Sequence, residues 1–126
     1  MIDSWNVFNI TDFVGVLSYD TQTRVFSFEP VGTSDRARMA FEQLCVFKGA
    51  SWMQVALFDR IFPRDRVDAA VLLRDIGLTE YDEWEILKKT QLVSCNDMIW
   101  MSKGADPNEF FECHPLAGYA RAKGLV

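Results

Sequence analysis

The apolar residues of this chain change their spacing at Pro30–Gly32, and that change constrains the fold more than any other feature. Before it, Val14 and Val16 lie in the run Phe13–Ser18, and Phe26 and Phe28 lie in the run Arg24–Phe28. Two short β-rich runs around the polar segment Tyr19–Thr23 predict an antiparallel hairpin. Alternation places the rings of Phe26 and Phe28 on one face of it. Trp5–Ile10 predicts a further strand. Pro30 and Gly32 then punctuate the chain.

Beyond that point the spacing turns helical. Thr33 or Ser34 caps a helix predicted to run to about Phe47, with Ala40, Leu44 and Phe47 on one stripe and Gly49 as the stop. Ser51 opens a second helix, in which Trp52, Val55, Ala56 and Phe58 are expected to face inward. Pro63 interrupts it. A third helix runs from Arg64 through Val67, Val71 and Leu72–Leu73 to Ile76. Gly77 fits the left-handed position after its end, which glycine occupies without a Cβ clash. Asp82 caps a fourth helix, Glu85 completes an Asp variant of the capping box, and Lys88 and Lys89 suit its C-terminal dipole. Asp97–Met101 predicts a short strand, Gly104–Pro107 a turn, and Asn108–Cys113 a single helical turn. The small-residue tail Ala117–Val126 is expected to fray. The fold expected is α+β, with an N-terminal antiparallel β-hairpin or small sheet packed against a C-terminal set of three to four short helices, in one domain spanning residues 1–126.

Composition narrows the function. The chain is 49% hydrophobic and 25% charged, which suits one domain with a real core. Its net charge of −5 is a poor match to a phosphate backbone, so direct nucleic-acid binding is disfavoured. Cys45, Cys95 and Cys113 form neither a disulfide framework nor a zinc-ligand spacing. Met1–Trp5 lacks the pattern of a signal peptide, and no apolar run reaches transmembrane length. A cytoplasmic protein with reduced thiols is the expectation.

Residue types capable of chemistry are present, but their patterns point elsewhere. Cys113 and His114 are a nucleophile and a base by type, yet adjacent side chains rarely converge. Glu109 and Glu112 share a helical face without a nearby histidine ligand, which favours a solvated acidic face over a metal site. Arg60, Arg64 and Arg66 surround Pro63, interleaved with Asp59 and Asp65. That cluster reads either as an anion site or as mutual ion pairing, the latter favoured by the alternating signs. No phosphate-binding loop, dinucleotide fingerprint, kinase catalytic loop or nucleophile elbow occurs. No catalytic residue, cofactor or metal is expected. Trp84, flanked by Asp82, Glu83 and Glu85, is either a core residue beside Leu87 or an exposed anchor in a polar rim, the usual anatomy of a contact hot spot. The partner-binding candidates are therefore Asp82, Glu83, Trp84 and Glu85, followed by Arg60, Arg64 and Arg66.

The block from Phe62 to Trp100 also carries a resemblance. Phe62, Pro63 and Arg66, then Leu73, Ile76, Gly77 and Leu78, then Leu87 and Lys88, then Asp97 and Trp100 follow a recurring pattern. It resembles small Firmicutes and mobile-element proteins with (I/F)-P-x-x-R, L-x-x-(L/I)-G-(L/I) and D-x-x-W elements. Together with Val14–Asp20 and Val25–Phe28, it is similar to the N-terminal module of clostridial HipA-like proteins. Those relatives carry a glycine before D-x-x-W where Leu92 or Val93 stands here, and their kinase-like region has no counterpart in these residues. The resemblance implies a non-enzymatic protein-interaction module that regulates a separately encoded HipA-like kinase. The alternative is a mobile-element inhibitor of a host defence system, anti-CRISPR-like, that binds an effector protein. A small hydrolase built on Cys113 and His114 is the least supported class.

Overall fold

The computed structural model of the chain describes all 126 residues. Three consecutive strands, β1 (Ile2–Asn9), β2 (Asp12–Asp20) and β3 (Val25–Pro30), pair antiparallel, as their alternation requires. A fourth, β4 (Ile99–Ser102), returns from late in the chain to the free edge of β1, giving the order β3-β2-β1-β4. Phe26 and Phe28 do share a face: they pair with Tyr19 and Leu17 over the main core. A bulge sets Val14 and Gly15 against Val7. Gly15 is needed there, because a Cβ would run into the Glu29 carbonyl oxygen and the Phe28 ring.

Helices cover both faces of the sheet. On one side, α1 (Asp35–Gln43), α2 (Ala50–Phe58) and α4 (Glu83–Thr90) bury Ala40, Phe41, Met53, Leu57, Trp84 and Leu87 against Val7, Leu17 and Phe26. Between α2 and α4 lies α3 (Ala69–Asp75). On the other side, α5 (Phe110–Cys113) and α6 (Ala117–Ala122) close over Phe8 and Trp100. The class is α+β as expected, but there are six helices rather than three to four. The tail expected to fray forms α6, because Ala117 and Ala120 bring it close to the aromatic layer. Arg36 further tethers the tail by donating to the Leu125 carbonyl oxygen.

Four helices end in the same way. The residue after the last turn enters the left-handed region, and the next N–H reaches back to the third carbonyl from the end. Gly77 (φ 81°) and Gly124 (φ 70°) do this after α3 and α6. Cys45 (φ 56°) and Gln91 (φ 53°) do it after α1 and α4. The first helix therefore stops near Cys45, short of the expected Gly49. The third begins five residues later than expected, leaving Val67 and Val71 exposed while Ala69 and Leu73 turn inward.

Gly77 has nothing near its missing side chain, so its role is conformational alone. Gly77→Val is expected to lower stability by about 1 kcal/mol or more, since a β-branched residue resists positive φ. A chemical denaturation curve checks this; an unchanged midpoint refutes the assignment.

Candidate functional site

Trp84 belongs to the core, not to the surface. It is 3% exposed. Its ring stacks on Tyr19 at 5.0 Å between centroids and meets the edge of Phe26 at 5.7 Å. Its indole N–H donates to Asp3 Oδ2 at 3.1 Å. Asp3 also accepts from the Trp5 indole at 3.2 Å and from Lys103, and faces Lys88 at 3.5 Å. Partial burial raises the Asp3 pKa, but the bonds from Lys103 and Trp84 and the two lysine charges outweigh it and hold the carboxyl below its usual value.

The acidic turn around Trp84 is likewise occupied. Asp82 Oδ1 accepts from the Glu85 N–H at 3.0 Å, the expected cap. The Glu85 carboxylate turns to Lys88 at 2.9 Å instead of reaching back to complete the box. Glu83 lies 3.7 Å from Arg64. These side chains serve the helix start and frame no exposed aromatic, so of the two readings of Trp84 the structure has the core residue beside Leu87 and not the contact anchor.

The three arginines diverge. Arg60 lies against Asp97 through two hydrogen bonds of 2.6 and 2.7 Å, with both side chains largely buried. Its Nε donates to the Leu92 carbonyl oxygen at 2.7 Å. Arg64 lies over the Tyr81 ring at 4.8 Å. Arg66 pairs with Asp68 at 2.6 Å. Nothing gathers them around a common anion, and none pairs with the interleaved Asp59 or Asp65 as the alternating signs suggested: their partners are Asp97, Glu83 and Asp68.

Cys113 and His114 do not face each other as nucleophile and base. The His114 Nδ1 accepts from the Leu116 N–H at 3.1 Å, while Nε2 is buried without a partner. Burial pushes the Cys113 thiol above its usual pKa, and Glu109 adds to that. An activated thiol needs the opposite shift. Glu109 accepts from the Ser102 hydroxyl at 2.7 Å, and Glu112 points into solvent. No group of three histidine, cysteine or acidic side chains is placed to hold a metal ion.

The surface that remains unexplained is the outer side of α2. The helix was expected to turn Trp52 and Val55 inward. It buries Met53 and Leu57 instead, leaving Trp52 60% and Val55 57% exposed. Phe47, just before the helix, is 73% exposed and meets the edge of Phe41 at 5.5 Å. A hollow of about 340 Å3 runs beside Trp52 and Val55 to Asp59, Cys45 and Asn96. The reason is in the sequence: only Ser51 and Gln54 are polar in Ala50–Phe58, so whichever face docks, another apolar face stays outside. Trp52 and Val55 adjoin on that side, and adjoining exposed apolar residues mark a binding site more often than scattered ones do.

No family model, curated protein or solved structure matches the chain. No helix is long and apolar enough to cross a membrane.

Two predictions follow from this geometry. Trp84→Ala is expected to lower stability by about 3–5 kcal/mol, whereas Trp52→Ala is expected to change it by about 0.5 kcal/mol or less. Urea denaturation of both variants measures the contrast. The second concerns His114, whose pKa is lowered from 6.5 by burial, opposed by the Asp97 charge and reinforced by the Arg60 charge. The folded state therefore binds fewer protons than the unfolded one below 6.5, so stability is full above that value and falls as pH drops from it through the folded pKa. The urea midpoint is expected to decline between about pH 7 and about pH 5, before most carboxylates titrate. His114→Asn keeps an acceptor for the Leu116 N–H and should flatten that decline.

Proposed function

We propose that the chain is a non-catalytic protein-binding module that works through the outer face of α2. The single observation carrying this reading is the adjoining exposed pair of Trp52 and Val55, which contributes little to the chain's own core. The engaged His114 Nδ1 and the raised Cys113 pKa support the non-catalytic part. Aromatic side chains in an exposed apolar patch are the usual source of contact energy at protein interfaces. The α2 face replaces the Trp84 surface, because Trp84 is spent on the core. The sequence resemblance of the Phe62–Trp100 block supports a separately encoded HipA-like kinase as the regulated protein.

The test is affinity purification from the native host with wild-type chain, Trp52→Ala and Val55→Ala in parallel. The expected outcome is a specific partner retained by wild type and lost by both variants at unchanged melting temperature. Recovery of a HipA-like kinase in the retained set supports that choice of partner. Equal capture by all three proteins rejects α2 as the contact face.

A further inference from the structure

We propose that the free edge of β3 pairs with the same edge of a second copy, joining two four-stranded sheets into one across a two-fold axis at Ser27. This goes beyond the α2 reading and draws on none of its residues. The two edges of the sheet differ. Beyond β4, Gln91 takes both backbone groups of Met101. Beyond β3 there is no strand. The Val31 N–H donates to the Val14 carbonyl oxygen at 3.1 Å, and the Glu29 carbonyl oxygen lies against Gly15. The odd-numbered residues of this strand therefore point their backbone groups at β2. Phe26 and Phe28 turn an N–H and a carbonyl each outward, and no other element takes them. Val25–Pro30 has no lysine and no bulge, the common devices that keep an edge from pairing, and Pro30 blocks only its end.

This edge is complementary to itself in one register. Pairing Phe26 with Phe28 of the second copy, and Phe28 with Phe26, satisfies every one of these outward groups. Each contact occurs twice, as an isologous interface requires. At both ends Pro30 falls opposite Arg24 of the second copy. Pro30 has no N–H, and the Arg24 N–H is already bonded to the Asp20 carbonyl oxygen at 2.7 Å, so no donor is stranded. Moving the axis to Phe28 would set Pro30 against Phe26 and leave the Phe26 carbonyl without a donor. The side chains agree with the same axis. Ser4, Ser18 and Ser27 stand in one row across β1, β2 and β3, with the Ser4 and Ser18 hydroxyls bonded at 2.8 Å. An axis at Ser27 continues that row into the second copy and brings the two Ser27 side chains together. Glu29, the strand's one charge, meets Val25 of the second copy, so no like charges face each other. An unrelated strand would match this edge only by chance; a second copy carries the match in its own sequence.

Two measurements on the full chain test this. In sedimentation equilibrium from about 1 μM to about 1 mM, the range of weak association, the wild type is expected to pass from monomer to dimer. Ser27→Lys sets two like charges against each other on the axis and is expected to weaken the dimer by about tenfold or more. Ser27 is exposed, so the melting temperature of the dilute monomer should not change. The second measurement reads the register. Residues facing each other in a non-hydrogen-bonded pair have Cα atoms about 4.5 Å apart, within reach of a disulfide. Under mild oxidation Ser27→Cys should cross-link to itself, with peptide mass spectrometry locating the bond between the two introduced thiols. Val25→Cys and Glu29→Cys should each cross-link slowly alone and quickly when mixed. A wild type that stays monomeric throughout overturns the proposal, as does a dimer unmoved by Ser27→Lys. Cross-linking of Ser27→Cys no faster than that of Glu29→Cys alone overturns the register and with it the interface.

Discussion

The buried pair of Arg60 and Asp97 holds the molecule's two halves in register. Arg60 follows α2 and Asp97 precedes β4, so the bond joins elements 37 residues apart. The guanidinium also donates to the Leu92 carbonyl oxygen, and Asp97 Oδ1 accepts from the Ile99 N–H. Desolvating two charges is costly, and such a pair persists only when its remaining donors and acceptors are satisfied, as they are here. The consequence is positional. With β4 fixed at its start, Trp100 stacks on Phe8 at 4.5 Å and donates to the Ile10 carbonyl oxygen at 2.6 Å. That bond, with the Ile10 N–H donating to Met98, holds a β-branched residue at φ 56° in the turn between β1 and β2. Gln91 closes the outer side of β4: its carbonyl accepts from the Met101 N–H and its amide donates to the Met101 carbonyl oxygen. The late strand thus leaves no open edge on that side.

Local chemistry was legible in the sequence wherever one residue type determines the backbone. Ser34 and Asp82 cap the helices they were expected to cap, and Gly77 ends α3 as predicted. The helix ends at Cys45 and Gln91 were not legible, because no property of cysteine or glutamine favours positive φ. Tertiary packing holds them there: Leu44 and Leu92, on either side of these turns, are buried in the core. The hairpin was legible from alternation, whereas the placement of β4 beside β1 depends on the Arg60 clamp and on no local pattern.

The inward assignment of Trp52 failed in an instructive direction, while Trp84 took the core place that the sequence had left open. Trp84 sits among three acidic residues and Trp52 among apolar ones, so composition alone exchanges their places. A partner 81 residues away decides the first: Asp3 takes the indole N–H and lets the ring go under the helix. The second is decided by phase. An amphipathic helix declares its inner side through its polar residues, and α2 has too few of them to do so. The absence of a polar face on α2 was itself the available signal that apolar side chains would stay exposed there.

The residues that carry the sequence resemblance and those of the exposed apolar surface are separate sets. Gly77 shapes a helix end, Leu87 fills the core, Lys88 pairs with Asp3, Asp97 holds Arg60 and Trp100 packs beneath β1. Each builds the frame, and none lies on the outer face of α2. Trp52 and Val55 lie outside the Phe62–Trp100 block and are largely solvent-exposed, so their replacement leaves the core packing intact, whereas Phe47 also meets the core ring of Phe41. A pattern made of frame residues identifies a scaffold and is silent about what the scaffold holds.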